Sequence, residues 1–279
     1  MPGQIFGDRY EVEQQLGKKA GRWTLLARDI ETDERVILKL LFVDDETHQD
    51  DLKLFTREVQ VLQAIEHPAT PKYLGYFEID LIHDGKALAL IQSYVNGTSL
   101  EQYLKSKRTL SETEARWLAK AVLKILLYLH TLEPPVVHRD IKPSNVLLSK
   151  NADTNTPKAS LVDFGSIKSI GIGESTSFTM VGTDGYMPPE QMGRRAVRAS
   201  DLYGLGMTLV TAATGVEPHG MPRRGLRVDI DQMEGLQEFE PAFLTWLTQM
   251  IEPELSKRFQ TADEALQALR AIDAGRSDG

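Results

Sequence analysis

Val137-His138-Arg139-Asp140-Ile141-Lys142-Pro143-Ser144-Asn145-Val146-Leu147-Leu148 crowds charged and polar side chains between apolar ones. Such crowding points to a site rather than a solvated face. Asn145 stands five residues after Asp140, a spacing that lets one loop present a carboxylate and an amide oxygen to the same small volume. Eighteen residues beyond Asn145, Leu161-Val162-Asp163-Phe164-Gly165 ends a short apolar strand in a carboxylate, an aromatic ring and a glycine. Asp163 and Asn145 offer the hard oxygens that a magnesium ion prefers. Taken singly, His138-Arg139-Asp140 or Asp163-Phe164-Gly165 reads as an ordinary loop or turn; their order and spacing together carry the signal.

Upstream, from Arg9 to about Val95, short alternating runs such as Trp23-Thr24-Leu25-Leu26-Ala27 and Val36-Ile37-Leu38-Lys39-Leu40 read as strands. One interruption, from about Gln49 to Ile65, spaces Leu52, Phe55, Val59 and Leu62 at helical intervals. Past Asn96-Gly97 the character changes. Ser111 and Glu114 form a capping box ahead of the apolar stripe Leu118, Val122, Ile125, Leu126 and Leu129, which predicts a helix from about Glu112 to His130, stopped by Pro134-Pro135. Further helices are expected over Ser200–Thr214, Pro241–Ile251 and Ala262–Ile272, with 273–279 as a flexible polar tail. There is no internal repeat and no low-complexity segment.

The two central segments resemble the catalytic loop and D-F-G segment of the eukaryotic-type (Hanks-type) protein kinases. The resemblance runs from about Arg9 to Ile272 and implies an α+β, two-lobed kinase fold. The expected lobes are a small, mainly antiparallel β N-lobe with one helix (9–95) and a larger, mainly α C-lobe (96–272). It implies Asp140 as catalytic base, Asn145 and Asp163 as magnesium (or manganese) ligands, and ATP as co-substrate. Lys142 would steady the transferring phosphoryl group, and a lysine there resembles the serine/threonine branch. Lys39 would reach the nucleotide phosphates, oriented by Glu58 nineteen residues later, and Gly17, Gln92, Tyr94, Val95 and Leu147 would complete the nucleotide site.

Gly182-Thr183-Asp184-Gly185-Tyr186-Met187-Pro188-Pro189-Glu190 resembles the end of an activation segment, with Pro188 in place of the usual alanine. By that likeness Thr183 contacts Asp140 and Lys142, Glu190 pairs with Arg258, and Asp201 supports the catalytic-loop backbone. Arg139, just before the base, implies control by phosphorylation, with Ser175, Thr176, Ser177 and Thr179 as candidate sites; a merely flexible loop is an equal reading. The M-P-P-E-Q ending and Gln92 at the gatekeeper position look most like bacterial members.

The glycine-rich loop departs from the family pattern. In Leu16-Gly17-Lys18-Lys19-Ala20-Gly21-Arg22-Trp23-Thr24, Gly17 matches, Lys19 and Arg22 replace the second and third glycines, and Gly21 comes one place early. Thr24 replaces the valine over the base, and Ile37 takes a position usually held by alanine. Lys18, Lys19 and Arg22 would add positive charge that offsets lost backbone contacts. Three readings follow: an active serine/threonine kinase acting on protein hydroxyls, a pseudokinase that scaffolds or senses nucleotide, and a small-molecule kinase of the antibiotic-phosphotransferase type. The last would normally lack Lys142 and the 182–190 segment.

The 279 residues carry a net charge of -8, which argues against a nucleic-acid or membrane-surface binder. No cysteine is present, so disulfides, thiolate metal sites and cysteine nucleophiles are excluded. With no leader-like start and no long apolar run, the chain is expected to be cytoplasmic, without room for a separate sensor domain, so regulation would come from the lobes or a protein partner. Arg223, Arg224 and Arg227 form a basic cluster that suits either an acidic partner or plain solvation.

Overall fold

Alternating β-branched and apolar residues build the first of two compact units, Met1–Val95 and Asn96–Gly279, in a computed structural model that describes residues 2–19, 21–43, 47–80, 85–106, 108–151, 153–166, 168–169, 182–193 and 195–277. In the first unit, strands β1 (Ile5–Phe6), β2 (Tyr10–Lys19), β3 (Arg22–Asp29) and β4 (Arg35–Val43) precede helix α1 (Gln49–Ala64), and β5 (Tyr73–Asp80) and β6 (Lys86–Ser93) follow it. The sheet is antiparallel in the order β1-β2-β3-β4-β6-β5. Its register sorts side chains into rows. Leu25, Leu38 and Ile91 stand opposite one another and join Val12, Val36, Leu40 and Ala89 in a buried cluster on one face. The next row, Leu26, Ile37 and Gln92, belongs to the other face because successive strand residues point to opposite sides. Lys39 lies on that second face, two residues from Ile37 along β4.

The folded unit begins before Arg9, where the sequence reading placed its start. Phe6 of β1 is buried in the core, and Gly3 N–H donates to Val12 O at 2.8 Å. Gly7 sits at φ 58, and a Cβ there would lie 2.8 Å from the Phe77 ring, so the chain backbone itself packs on the aromatic face.

The second unit contains β7 (Thr98–Ser99), α2 (Leu100–Lys105), α3 (Glu112–Thr131), β8 (Val136–Val137), β9 (Val146–Lys150), β10 (Pro157–Leu161) and β11 (Lys168–Ser169). After these come α4 (Pro189–Met192), α5 (Arg198–Thr214), the hairpin β12 (Arg223–Arg224) and β13 (Arg227–Val228), α6 (Pro241–Met250) and α7 (Ala262–Ser277). Ser111 and Glu114 cap α3 reciprocally, as their spacing predicts. Helix α2, absent from the sequence reading, carries the same signal: Ser99 accepts from Gln102 N–H and Gln102 accepts from Ser99 N–H. Every residue of α5 from Ala199 to Ala213 is buried, so this helix is the axis around which the unit packs.

Of the expected tail at 273–279, residues 273–277 are helical. Helix α7 continues to Ser277, because Asp273 accepts hydrogen bonds from Arg116 at 2.9 Å and Lys120 at 2.7 Å on α3. Arg116 also pairs with Glu112 and Glu240 and lies over the Phe243 ring, tying α3, α6 and α7 together. The basic cluster at the β12–β13 hairpin is largely neutralised within the unit: Arg224 pairs with Asp229 at 2.6 Å and Arg227 with Glu252 at 3.0 Å. No helix among the described residues is long and apolar enough to cross a membrane.

Candidate active site

The 137–148 stretch leaves β8, crosses a loop and a single turn of 3-10 helix at Pro143–Asn145, and enters β9. β9 pairs with β10, whose end leads directly into Asp163. This hairpin explains the spacing seen in the sequence: it brings the end of β10 back to the start of β9, and Val162 N–H donates to Asn145 O at 2.9 Å. The loop and the D-F-G segment are thereby joined at the backbone.

Around Asp140 the side chains form a closed set. Thr183 Oγ1 donates to Asp140 Oδ1 at 2.7 Å, Lys142 Nζ lies 2.8 Å from Asp140 Oδ2, and Lys142 Nζ also donates to Thr183 Oγ1 at 2.5 Å. Asn145 Nδ2 donates to Asp140 O at 2.8 Å and to Oδ2 at 3.1 Å. With its nitrogen committed to Asp140, the amide of Asn145 turns its oxygen the other way, where it accepts a long bond from Ser144 Oγ at 3.4 Å. Asp163, across the Asn145–Val162 link, is exposed in a left-handed conformation at φ 64. An amide oxygen and a carboxylate fit a small divalent cation that takes its remaining ligands from phosphate and water. Among the described residues no cluster of three or more His, Cys, Asp or Glu side chains could hold a metal by itself.

The loop backbone is strained and braced. Arg139 adopts φ 67, a region that a residue with a Cβ rarely enters. Buried Asp201 accepts from Arg139 N–H at 2.8 Å, from His138 N–H at 2.9 Å and from His130 Nε2 at 2.9 Å. Gln191 Nε2 donates to Arg139 O at 2.7 Å, and the Arg139 guanidinium donates to Ser166 O. His138 is fully buried against Phe164, with Nε2 facing Val162 O at 3.2 Å and Nδ1 facing Asp140 N–H at 3.4 Å. Burial holds its imidazole below the ordinary histidine range, against the opposing pull of Asp201, Asp140 and Asp163. The neutral ring therefore donates through Nε2 and accepts at Nδ1.

Glu190 of α4 forms a two-pronged ion pair with buried Arg258 at 2.7 and 3.2 Å, and Ser200 adds a bond at 2.9 Å. In the first unit, Lys39 Nζ lies 2.5 Å from Glu58 Oε1, with both residues buried. Gln92 is buried two rows away, its Oε1 without a hydrogen-bond partner. Tyr94 and Val95, half-buried, follow β6, and Leu147 is half-buried on β9 in the second unit. Strands β2 and β3 pair antiparallel with Gly17 opposite Thr24, and Gly21 adopts φ 66. Arg22 is engaged by Asp51 of α1 at 2.8 Å, and Lys18 lies over the Trp23 ring at 5.0 Å.

Ser175, Thr176, Ser177 and Thr179 lie outside the described residues. Gln191, Ser200 and His138 were not singled out by sequence reasoning; only the terminal Gln of M-P-P-E-Q pointed toward one of them.

A model of the protein kinase domain matches residues 10–269. Serine/threonine-protein kinase D of Synechocystis sp. is 30% identical over 279 residues, covering 95% of this chain and 52% of that protein. Serine/threonine-protein kinase B of the same organism is 32% identical over 282 residues, with 94% and 46% covered. Serine/threonine-protein kinase PknA of Nostoc sp. is 30% identical over 280 residues, with 96% and 48% covered. The chain spans about half the length of these relatives. A match of this extent, over a chain that carries the loop, the D-F-G segment and their bracing in family order, means that the chain belongs to the protein kinase family, alongside the bacterial serine/threonine kinases to which it is similar.

Proposed function

We propose that the protein is a serine/threonine protein kinase that transfers the γ-phosphoryl group of ATP to hydroxyls of protein substrates. The observation that carries this reading is the closed set around Asp140, in which Thr183, Lys142 and Asn145 converge on one carboxylate within the second unit. Asp140 accepts the proton of the substrate hydroxyl as its oxygen attacks phosphorus, and the bond to the nucleotide's β-γ bridging oxygen breaks. Lys142 stabilises negative charge on the phosphoryl oxygens. Asn145 and Asp163 would hold magnesium (or manganese), which would neutralise phosphate charge. Lys39, oriented by Glu58, binds the nucleotide phosphates, and Gly17, Gln92, Tyr94, Val95 and Leu147 contribute to nucleotide binding. Glu190, Arg258 and Asp201 keep the loop and segment in register, and Arg139 pairs with a phosphate carried on Ser175, Thr176, Ser177 or Thr179.

The kinase domain runs from β1 through α7 in this reading, and regulatory protein partners act on it directly. The test is incubation with labelled ATP, magnesium and a generic protein substrate, followed by phosphoamino-acid analysis. Label on serine and threonine, lost on chelation of the metal, is the expected result. Nucleotide binding without turnover would replace the reading with a scaffold, and label on small molecules alone would replace it with a small-molecule kinase.

A further inference from the structure

Gln191 is the buried residue of α4, a helix of one turn, and it follows the Glu190 that pairs with Arg258. Burying a primary amide costs side-chain entropy and solvation unless its hydrogen bonds are used. Here Nε2 donates to Arg139 O at 2.7 Å. The opposite end of the same residue is held as well, since Arg139 N–H donates to Asp201 at 2.8 Å. Between the two clamps Arg139 keeps its left-handed φ of 67. Its carbonyl belongs to the peptide that leads into Asp140, so rotating that peptide would swing the Asp140 carboxylate away from Thr183, Lys142 and Asn145.

A second feature shows that room for this contact is kept open. Gly182 adopts φ 132, and a Cβ built there would stand 2.7 Å from Gln191 Nε2 and 3.1 Å from Arg139 O. Any larger residue at 182 would press on both members of the bond.

We infer that Gln191 is a positioning residue: by donating to the Arg139 carbonyl, it fixes the peptide ahead of Asp140 and so the direction in which Asp140 presents its carboxylate. The inference rests on the reading of Asp140 as catalytic base and adds to it a residue that touches neither substrate nor nucleotide. Its chemical requirement is a hydrogen-bond donor at the end of a side chain of this length.

The full chain is compared with Gln191→Met, which has no donor, and with Gln191→Glu, which is isosteric but donates only when protonated. Loss of one such bond is expected to lower kcat about tenfold in both variants near pH 8, with KM for ATP changed less than about twofold. As pH falls toward about 6, the introduced carboxyl, its pKa raised by burial, becomes a donor, so the ratio of Gln191→Glu kcat to parent kcat climbs while the Gln191→Met ratio stays flat. Parent-like kcat in Gln191→Met overturns the inference. So does a Gln191→Glu ratio that ignores pH, and so does loss of cooperative melting in both variants, which would make the glutamine a support of the whole fold. Asp140→Asn is run beside them. If it turns over like the parent, the base assignment falls; if it is inactive while Gln191→Met matches the parent, only the positioning role falls.

Discussion

Lys39 and Glu58 are 9% and 4% exposed, so neither charge can be removed without stranding the other in a poorly solvated place. Lys39→Met is expected to destabilise the first unit by about 3 kcal/mol, and Lys39→Met combined with Glu58→Leu to recover most of that loss while still failing to bind ATP productively. Urea melts of the parent, the single and the double variants check the pattern, and a double variant no better than the single would contradict it. His138 gives a pH signature. Its folded-state pKa lies below the unfolded value, so the unfolded chain takes up more protons as pH falls through about 6.5. The resulting stability is fully present above that pH and is lost below it. His138→Gln, which keeps a donor toward Val162 O, should show a shallower loss between about pH 7 and pH 5.5; parallel curves for the two proteins would contradict the assignment. The side chains that converge on Asp140 were legible because they stand in short motifs at set spacings. Gln191 was not, since its role depends on a carbonyl brought to it only by the folding of a loop 52 positions earlier.

At the scale of elements, the ion pair of Glu190 and Arg258 fastens the short helix α4, which cannot hold itself by its own hydrogen bonds, to the segment beyond α6. Glu190→Gln should cost about 3 kcal/mol of stability in the second unit, because Arg258 is buried and left without a full counter-charge. Thermal melts of the variant beside Ser111→Ala, where loss of the α3 cap is worth about 1 kcal/mol, place the two effects on one scale. Elements with amphipathic or capping signals were legible: α1, α3, α5 and α6 appear within a few residues of their expected ends. The short pieces were less so. The two-residue strand β1 carries too little alternation to stand out, and α2 was hidden behind the Asn96-Gly97 break although Ser99 and Gln102 spell a capping box.

On the scale of the whole molecule, the two units were readable from the switch between strand and helix periodicity near Val95. The end of the chain was not, since the polar run after Ile272 has no apolar stripe to mark it. Its order comes from distant partners, Arg116 and Lys120 of α3, which local periodicity does not register. Removing residues 273–279 should therefore cost about 1 to 2 kcal/mol and leave Arg116 with only Glu112 and Glu240, a loss that a flexible tail would not produce.

The claim on which the account rests is that Asp140 works in the chemical step and not in holding the nucleotide. The most direct measurement is single-turnover transfer from labelled ATP to protein serine and threonine by the parent and by Asp140→Asn, with nucleotide affinity determined on the same samples. The account predicts transfer slowed by about a hundredfold to ten-thousandfold, with ATP affinity unchanged within about threefold. Transfer at the parent rate, or a loss matched in full by weaker nucleotide binding, would contradict it.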